Sequence, residues 1–248
     1  MIADCHVHIS PWSGWSNLDA ATKAQRAFDN SGIDKVVLIP LAARSVVDVK
    51  SCFQLAKKYP DKYKVAPQIT KDLFELVREN EEHIAGFKIH PVLQEISPTD
   101  SRSIDIINIA EEMEKPIIFH TYLQSQILPL EEMSPFVFDK LAKTYKNVNF
   151  VLAHSCFPKL YDAYCLAKSN KNIYLDLSYF ANVAAGTSLF ADFCEMIVGI
   201  DKKVIFGSDF PEVEIDTYIG MWKFLLRKLP YDKQENIFFN NGCEVFGL

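Results

Sequence analysis

The chain has 248 residues, of which 49% are hydrophobic and 23% are charged, so it can bury a sizeable core as an ordinary globular protein does. Its 26 basic and 32 acidic residues give a net charge of −6. Because no basic surplus is present to neutralise phosphates, the charge argues against nucleic acid or an anionic membrane as a partner. No apolar run reaches the roughly 18 residues that a membrane span requires.

The six cysteines are scattered along the chain and form no C-x-x-C pair. This distribution is typical of buried thiols in a reducing compartment and not of a disulfide framework. The first predicted strand starts at Ile2, with no basic or hydrophobic leader before it, so we expect no signal peptide. The sequence therefore predicts a cytoplasmic protein.

Eight short segments rich in Val, Ile, Phe and Tyr recur along the chain, as expected for strands that are buried on both faces of a sheet. In chain order these predicted strands are IADCHVH (2–8), KVVLIP (35–40), YKVAPQI (63–69), IAGFKIH (84–90), PIIFHTY (116–122), VNFVLAH (148–154), NIYLDLS (172–178) and KVIFGSDF (203–210).

Segments with helical periodicity lie between the predicted strands. Pro60 and Pro230 each lack the amide hydrogen that a helix needs, and each ends one of these helices. The predicted helices cover 18–32, 46–60, a brief stretch within 71–80, 101–115, 134–147, 216–230 and a final amphipathic segment over 232–248.

Eight strands that alternate with helices in 248 residues predict an α/β protein, a single (β/α)8 TIM barrel with a C-terminal helix. A doubly wound open sheet is the alternative. No linker, repeat or low-complexity stretch marks a second domain, so we expect one domain over residues 1–248.

Polar side chains lie at the carboxyl end of most predicted strands. In a β/α barrel these ends line one mouth, where the chemistry takes place. Five of the six histidines lie at such ends, and only His83 stands apart. The polar residues at strand ends are His6, His8, Lys88, His90, His120, His154, Asp176, Ser178 and Asp209.

A metal site explains this convergence best. Successive side chains of a strand alternate between its faces, so Asp4, His6 and His8 share one face of the first strand. His6 and His8 can then reach one ion together, His120 can approach from across the barrel, and Asp209 can complete the shell. Three imidazoles and one carboxylate leave an open position, which is typical of a catalytic metal site. We expect Asp4 to anchor the mouth by hydrogen bonding.

Each of these features has a structural interpretation when taken alone. His120 could be a hydrogen-bonded core histidine, His154 could cap a helix, and the SDFP sequence around Asp209 could be a turn that starts a helix. The joint placement of these residues at one end of the predicted barrel favours the metal site. His90 precedes Pro91, and we interpret it as structural.

Several of these motifs together resemble the amidohydrolase superfamily. They are D-x-H-x-H on strand 1, GFKIHP (86–91), a histidine ending strand 5, H-S after strand 6 and GSDFP (207–211). The nearest branch is the amidohydrolase-related (amidohydrolase 2) family of TIM-barrel metal-dependent hydrolases, which includes aminocarboxymuconate-semialdehyde decarboxylase-like enzymes. The ending NNGCEVFGL (240–248) is similar to the terminal helix of that family, so the resemblance covers essentially the whole chain.

The resemblance implies one divalent ion, usually zinc, held by His6, His8, His120 and Asp209. It also implies that His154 contacts the hydrolytic water or the substrate and moves a proton. Asp209 would be the catalytic carboxylate as well as a ligand.

Four further residues are predicted to bind substrate. In two-metal relatives a carbamylated lysine or a glutamate on strand 4 bridges the ions, so a second ion bound through Lys88 stays open. We favour Lys88 as the partner of a substrate carboxylate. Trp12 and Trp15 follow the first strand and could form an aromatic wall, and Arg44 could reach a carboxylate or phosphate at the mouth.

Three functional hypotheses follow. The first is a metal-dependent hydrolase that uses a zinc-activated water on a small-molecule amide, lactone or ester. The second is a metal-dependent non-oxidative decarboxylase of an unsaturated or aromatic carboxylic acid. The third is a barrel that binds a ligand without catalysis. Family members are often dimers, so the resemblance also leaves a homodimer open.

Overall fold

The computed structural model describes residues 1–9, 17–41, 46–70 and 73–248. Trp12, Trp15 and Arg44 lie outside the described residues, so their contacts with substrate stay predictions. Within the part of the chain that is described, no helix is long and apolar enough to cross a membrane.

All eight predicted strands are present, and each is shorter than the segment predicted for it. Neighbouring strands pair in parallel, as the alternation with helices requires. The strands are β1 Ala3–Val7, β2 Lys35–Leu38, β3 Tyr63–Val65, β4 Phe87–Ile89, β5 Ile117–His120, β6 Phe150–Ala153, β7 Ile173–Asp176 and β8 Val204–Ile205.

Two sheets, β1-β2-β3 and β4-β5-β6-β7-β8, meet at two seams that close the ring. Parallel bridges join Val65 to Ile84 at one seam and Val7 to Phe210 at the other. At the first seam the Lys88 N–H also donates to the carbonyl of Pro67 at 3.0 Å. The closed ring confirms the predicted (β/α)8 TIM barrel, and the open-sheet alternative is wrong.

The six helices predicted before residue 232 are present with slightly different ends, and four further helices, at 91–94, 160–169, 180–184 and 188–196, were not among those predicted. The helices are α1 Asn17–Asn30, α2 Val46–Lys58, α3 Phe74–Arg78, α4 Pro91–Gln94, α5 Ser101–Glu112, α6 Phe136–Thr144, α7 Leu160–Ser169, α8 Phe180–Ala184, α9 Ser188–Met196, α10 Ile215–Leu226, α11 Tyr231–Glu235 and α12 Asn241–Phe246.

The final helix differs from the prediction. A single amphipathic helix was expected over 232–248, whereas the chain forms α11, a π-helical segment over Asn236–Asn240 and then α12. Tertiary contacts account for the interruption, because the Ile237 carbonyl within the π-helical segment accepts a hydrogen bond from the Phe206 N–H at 3.0 Å.

The core has two layers. An outer cluster packs between the strands and the helices, and an inner cluster fills the lower barrel and is closed by Val245 and Phe246 of α12. Along β5 the layers alternate, with Ile118 in the inner cluster and its neighbours Ile117 and Phe119 in the outer one. This alternation puts His120, two residues after Ile118, on the inner side at the carboxyl end of the barrel.

Asn241 fixes α12 to the bottom of the barrel. Its side chain is buried, and its Nδ2 donates to the carbonyls of Asp201 and Val204, both at 2.7 Å. Because Val204 starts β8, the second of these hydrogen bonds ties the C-terminal helix to the strand that precedes the turn of Asp209.

We predict that Asn241→Ala lowers the free energy of unfolding by about 1–3 kcal/mol, because it removes two buried hydrogen bonds, to the carbonyls of Asp201 and Val204. Asn240→Ala is the matched control, since Asn240 is the same residue type one position earlier and is exposed. Its effect should stay within about 0.5 kcal/mol. Urea denaturation followed by circular dichroism measures both values, and equal losses in the two variants would contradict this assignment.

Candidate metal centre

His6, His8 and Asp209 form a compact group at the carboxyl ends of β1 and β8. Each offers one ligand atom, and the three atoms lie within 4.8 Å of one another. Asp209 Oδ1 is 3.5 Å from His6 Nε2 and 3.2 Å from His8 Nε2. Three of the four predicted ligands are therefore brought together by strands from opposite ends of the chain.

The turn after β8 places Asp209 against β1. Its N–H donates to the His6 carbonyl at 2.9 Å, and its φ of 73° lies in the left-handed region. Asp4 supports the same turn, as predicted, because its Oδ1 accepts a hydrogen bond from the Ser208 N–H at 2.8 Å. Burial raises the pKa of Asp4 to about 7. A strained backbone held in place by neighbouring hydrogen bonds is common at functional sites.

The ring of His6 is fixed by Asp176 at the end of β7. His6 Nδ1 lies 2.5 Å from Asp176 Oδ2, and the other oxygen of Asp176 accepts from the Ser178 N–H at 2.7 Å. The carboxyl group of Asp176 thus already acts as an acceptor through Oδ1, and burial raises its pKa to about 6. His6 therefore carries its hydrogen on Nδ1 and a lone pair on Nε2.

Gly207 is required for this contact. A Cβ at Gly207 would lie 2.7 Å from His6 Cβ and 2.6 Å from Asp176 Oδ1, closer than side-chain atoms can approach. Any larger residue would push His6 and Asp176 apart. The glycine of the GSDFP motif thus makes room for the pair that orients the first ligand.

His8 is oriented in the same way by a backbone carbonyl. Its Nδ1 lies 2.7 Å from the carbonyl of Ile39, just after β2, so Nδ1 donates and Nε2 keeps a lone pair. The Nε2 atoms of His6 and His8 both face Asp209 Oδ1, at 3.5 and 3.2 Å, and in the tautomers assigned here neither Nε2 carries a hydrogen. Burial lowers the pKa of His6 well below its ordinary value, so a second proton on that ring does not relieve the repulsion.

Three facing electron-pair donors fit a cation. Ligating histidines usually donate their other ring N–H to a carboxylate or a backbone carbonyl, as His6 and His8 do here. Imidazole nitrogen and carboxylate oxygen are donors that zinc and manganese accept. The donor set of this structure therefore fits a divalent metal ion.

His120, the fourth predicted ligand, lies outside the group of three. Its Nδ1 is 3.1 Å from His154 Nε2, and its ring stacks on that of His90 with 3.8 Å between ring centroids. Burial lowers the pKa of His120 well below its ordinary value. The role of His120 as a ligand stays a prediction. The ring of His154 lies between His120 and the group of three, since its centroid is 5.3 Å from that of His6.

Lys88 lies beside the group on β4. Its side chain is 1% exposed, and its ammonium donates towards His6 Nε2 at 3.4 Å. This donor is a second sign that His6 Nε2 carries a lone pair. Burial lowers the pKa of Lys88 to about 8. Binding of a substrate carboxylate or of a second ion by Lys88 stays a prediction.

A cavity of about 310 Å³ opens above these residues. Tyr122 and Tyr179 line it, and each ring meets the ring of His154 edge-on at a centroid distance of 6.4 Å. Aliphatic side chains form much of the remaining wall. The other described lining residues are His8, Leu41, His90, Val92, Leu93, His120, Gln124, His154, Val183, Asp209, Pro211 and Glu212.

Two residues of the site were placed at a strand end by the sequence but given no role. Asp176 and Ser178 alternate along the end of β7, as His6 and His8 do along β1, so both can reach the mouth. That alternation was the available signal. The sequence could not reveal that Asp176 contacts His6, because the contact depends on how the barrel closes. Tyr179 carried no signal of its own.

Comparison with known proteins agrees with the motifs. Residues 3–248 match the family model described as Amidohydrolase, whereas no curated protein matches the chain significantly. The structure is similar to an uncharacterised TIM-barrel protein from Bordetella bronchiseptica, with a TM-score of 0.77 and 17% identity over 94% of this chain and 84% of that chain.

Two further solved structures share the fold at low sequence identity. One is a 5-carboxyvanillate decarboxylase from Novosphingobium aromaticivorans in complex with manganese and 4-hydroxy-3-methoxy-5-nitrobenzoic acid, with a TM-score of 0.67 and 14% identity over 91% of this chain and 80% of that one. The other is a dihydroorotase from Campylobacter jejuni, with a TM-score of 0.66 and 14% identity over 100% of this chain and 83% of that one.

The match to the family model over residues 3–248 agrees with the closed barrel and with the histidines at its strand ends. The chain therefore belongs to the amidohydrolase family.

Proposed function

We propose that the protein is a metal-dependent hydrolase that acts on a small-molecule amide, lactone or ester. The observation that carries this proposal is that the Nε2 atoms of His6 and His8 both face Asp209 Oδ1, at 3.5 and 3.2 Å, beside a cavity. Zinc is the proposed ion, and manganese is the alternative because a solved relative contains it.

His6, His8 and Asp209 would hold the ion, with His120 as the fourth ligand. When bound, a divalent ion there supplies Lewis acidity, which polarises a substrate carbonyl and makes water a stronger acid. Asp209 accepts the proton of the attacking water and passes it to the leaving group. The catalytic role that the resemblance implies for His154, contact with the water or the substrate and movement of a proton, is part of this proposal.

The cavity wall supports a small and partly apolar substrate. Tyr122 and Tyr179 offer flat faces to it. Lys88 does not line the cavity, and its buried ammonium beside His6 is the group that we propose for a substrate carboxylate. Trp12, Trp15 and Arg44 keep the substrate-binding roles proposed from the sequence. A second ion bound through Lys88 would replace the substrate contact of that residue.

Non-oxidative decarboxylation is the second candidate. The 5-carboxyvanillate decarboxylase among the structural relatives shares the fold at 14% identity. The specific observation in favour of this reaction is the pair of tyrosines beside His154, because their rings suit a planar aromatic carboxylate.

The proposed setting is the cytoplasm, and the partner is a small molecule and not nucleic acid or a membrane. The six cysteines, all of which lie in the described part of the chain, form no disulfide bond, which supports a reducing compartment. A homodimer stays part of the proposal on the resemblance alone.

The first prediction concerns metal binding. Wild-type protein purified without added metal should carry a divalent ion. His8→Ala should weaken retention of that ion by at least about 10–100-fold, because mutation of a residue that only hydrogen-bonds to a ligand already costs that much metal affinity. His83→Ala is the control, because His83 lies in the turn before β4, on the amino-terminal side of the barrel. Elemental analysis and competition with a chelator measure both variants. An apoprotein that takes up no zinc or manganese would contradict the proposal.

The second prediction concerns the reaction. Protein loaded with zinc or manganese, given a panel of lactones, amides, esters and hydroxybenzoates, should release acid from a lactone, amide or ester without releasing carbon dioxide. Asp209→Asn should abolish turnover, whereas Asp216→Asn, at an exposed position of α10, should leave the rate unchanged. Carbon dioxide release from a hydroxybenzoate alone would replace the hydrolase proposal with the decarboxylase.

A further inference from the structure

The turn that carries His154 is strained. His154, Ser155 and Cys156 follow β6 with φ values of 62°, 49° and 57°, all in the left-handed region. Such a conformation costs a residue other than glycine about 1–2 kcal/mol. The turn is held by the Ser155 hydroxyl, which donates to the Asp176 carbonyl at 2.9 Å, and by Thr121 Oγ1, which accepts from the Cys156 N–H at 3.1 Å. The fold thus keeps a costly backbone conformation that places the His154 ring inside the barrel.

The hydrogen on the His154 ring can be assigned from its neighbours. His154 Nδ1 lies 2.9 Å from the carbonyl oxygen of Ser178, and a carbonyl can only accept. Nδ1 therefore carries the ring hydrogen, and Nε2 carries a lone pair. Because His120 Nδ1 lies 3.1 Å from that lone pair, His120 Nδ1 must be the donor. The Nε2 atom of His120 is then left with a lone pair of its own.

The same pattern holds for the other two predicted imidazole ligands. Asp176 accepts the Nδ1 hydrogen of His6, and the Ile39 carbonyl accepts that of His8. His154 completes the series as the acceptor for His120. All three rings are thereby held in the tautomer that has its hydrogen on Nδ1 and a lone pair on Nε2. The three acceptors are a carboxylate, a backbone carbonyl and an imidazole nitrogen.

We propose that His154 is a positioning residue: its Nε2 accepts the Nδ1 hydrogen of His120 and so fixes His120 in the tautomer that can bind the metal through Nε2. The inference rests on the metal site of the proposed function and deepens it. It is separate from the role of moving a proton to or from the substrate and can operate beside it, because it concerns only the hydrogen bond between His154 Nε2 and His120 Nδ1.

Two variants separate the two roles. His154→Gln keeps an oxygen acceptor at about the reach of Nε2, whereas His154→Phe keeps a ring and removes the acceptor. If His154 positions His120, His154→Phe should weaken metal retention by about 10–100-fold and His154→Gln should restore most of it. If His154 only moves a proton, both variants should keep the ion and lose turnover alike, and that result would overturn the inference.

The direct readout is the tautomer of His120 in metal-free protein with ¹⁵N-labelled histidine, from nitrogen chemical shifts and long-range proton–nitrogen correlations. The hydrogen should be on Nδ1 in the wild type and in His154→Gln, and it should move towards Nε2 in His154→Phe. Tyr179→Phe is the control, because Tyr179 borders the same ring and provides no acceptor to His120. In Tyr179→Phe, the tautomer of His120 and the affinity of the protein for metal should equal those of the wild type.

The wild-type spectrum alone is decisive if a variant fails to fold. A His120 hydrogen on Nε2 in the metal-free wild type would overturn the inference. Since this readout needs neither metal nor turnover, a protein inactive on every substrate would count against the proposed function and leave the result for His154 standing.

Discussion

Hydrogen bonds that the histidine Nδ1 atoms donate are the interaction on which the candidate site depends. A neutral imidazole carries one ring hydrogen, so an acceptor beside Nδ1 decides that Nε2 will present a lone pair. Asp176 provides that acceptor for His6, and the Ile39 carbonyl provides it for His8. With Asp209 facing both Nε2 atoms, the buried group is repulsive by itself and favourable around a cation. We therefore propose that a bound metal ion makes this arrangement of polar atoms stable.

The barrel supplies these acceptors because it closes. The Nδ1 partners come from β7 and from the segment after β2, and the facing carboxylate comes from the turn after β8. The seam between β8 and β1 sets the register of that turn, through the bridge between Val7 and Phe210. Strain at Asp209 and at His154 is tolerated because neighbouring strands hold both turns. The packing of the fold thus maintains local conformations that the isolated chain would not adopt.

The sequence predicted the eight strands, the closed barrel and the convergence of His6, His8 and Asp209, because each follows from local periodicity and from the geometry of parallel strands. The split of the final helix at Asn236–Asn240 was not predictable, since it depends on tertiary contacts such as the bond from Phe206 to Ile237. The contact between Asp176 and His6 was not predictable for a similar reason. Alternation along a strand shows which face of the sheet a residue lies on, but not which residue of another strand it contacts.

The central claim is that His6, His8 and Asp209 share one divalent ion. Anomalous diffraction at the zinc absorption edge, from crystals grown with zinc, tests it most directly. The account predicts an anomalous peak at the carboxyl end of β1 and β8, about 2.0–2.2 Å from the Nε2 atoms of both histidines and from a carboxylate oxygen of Asp209. Zinc bound only elsewhere on the protein, with these three side chains in direct mutual contact, would contradict it.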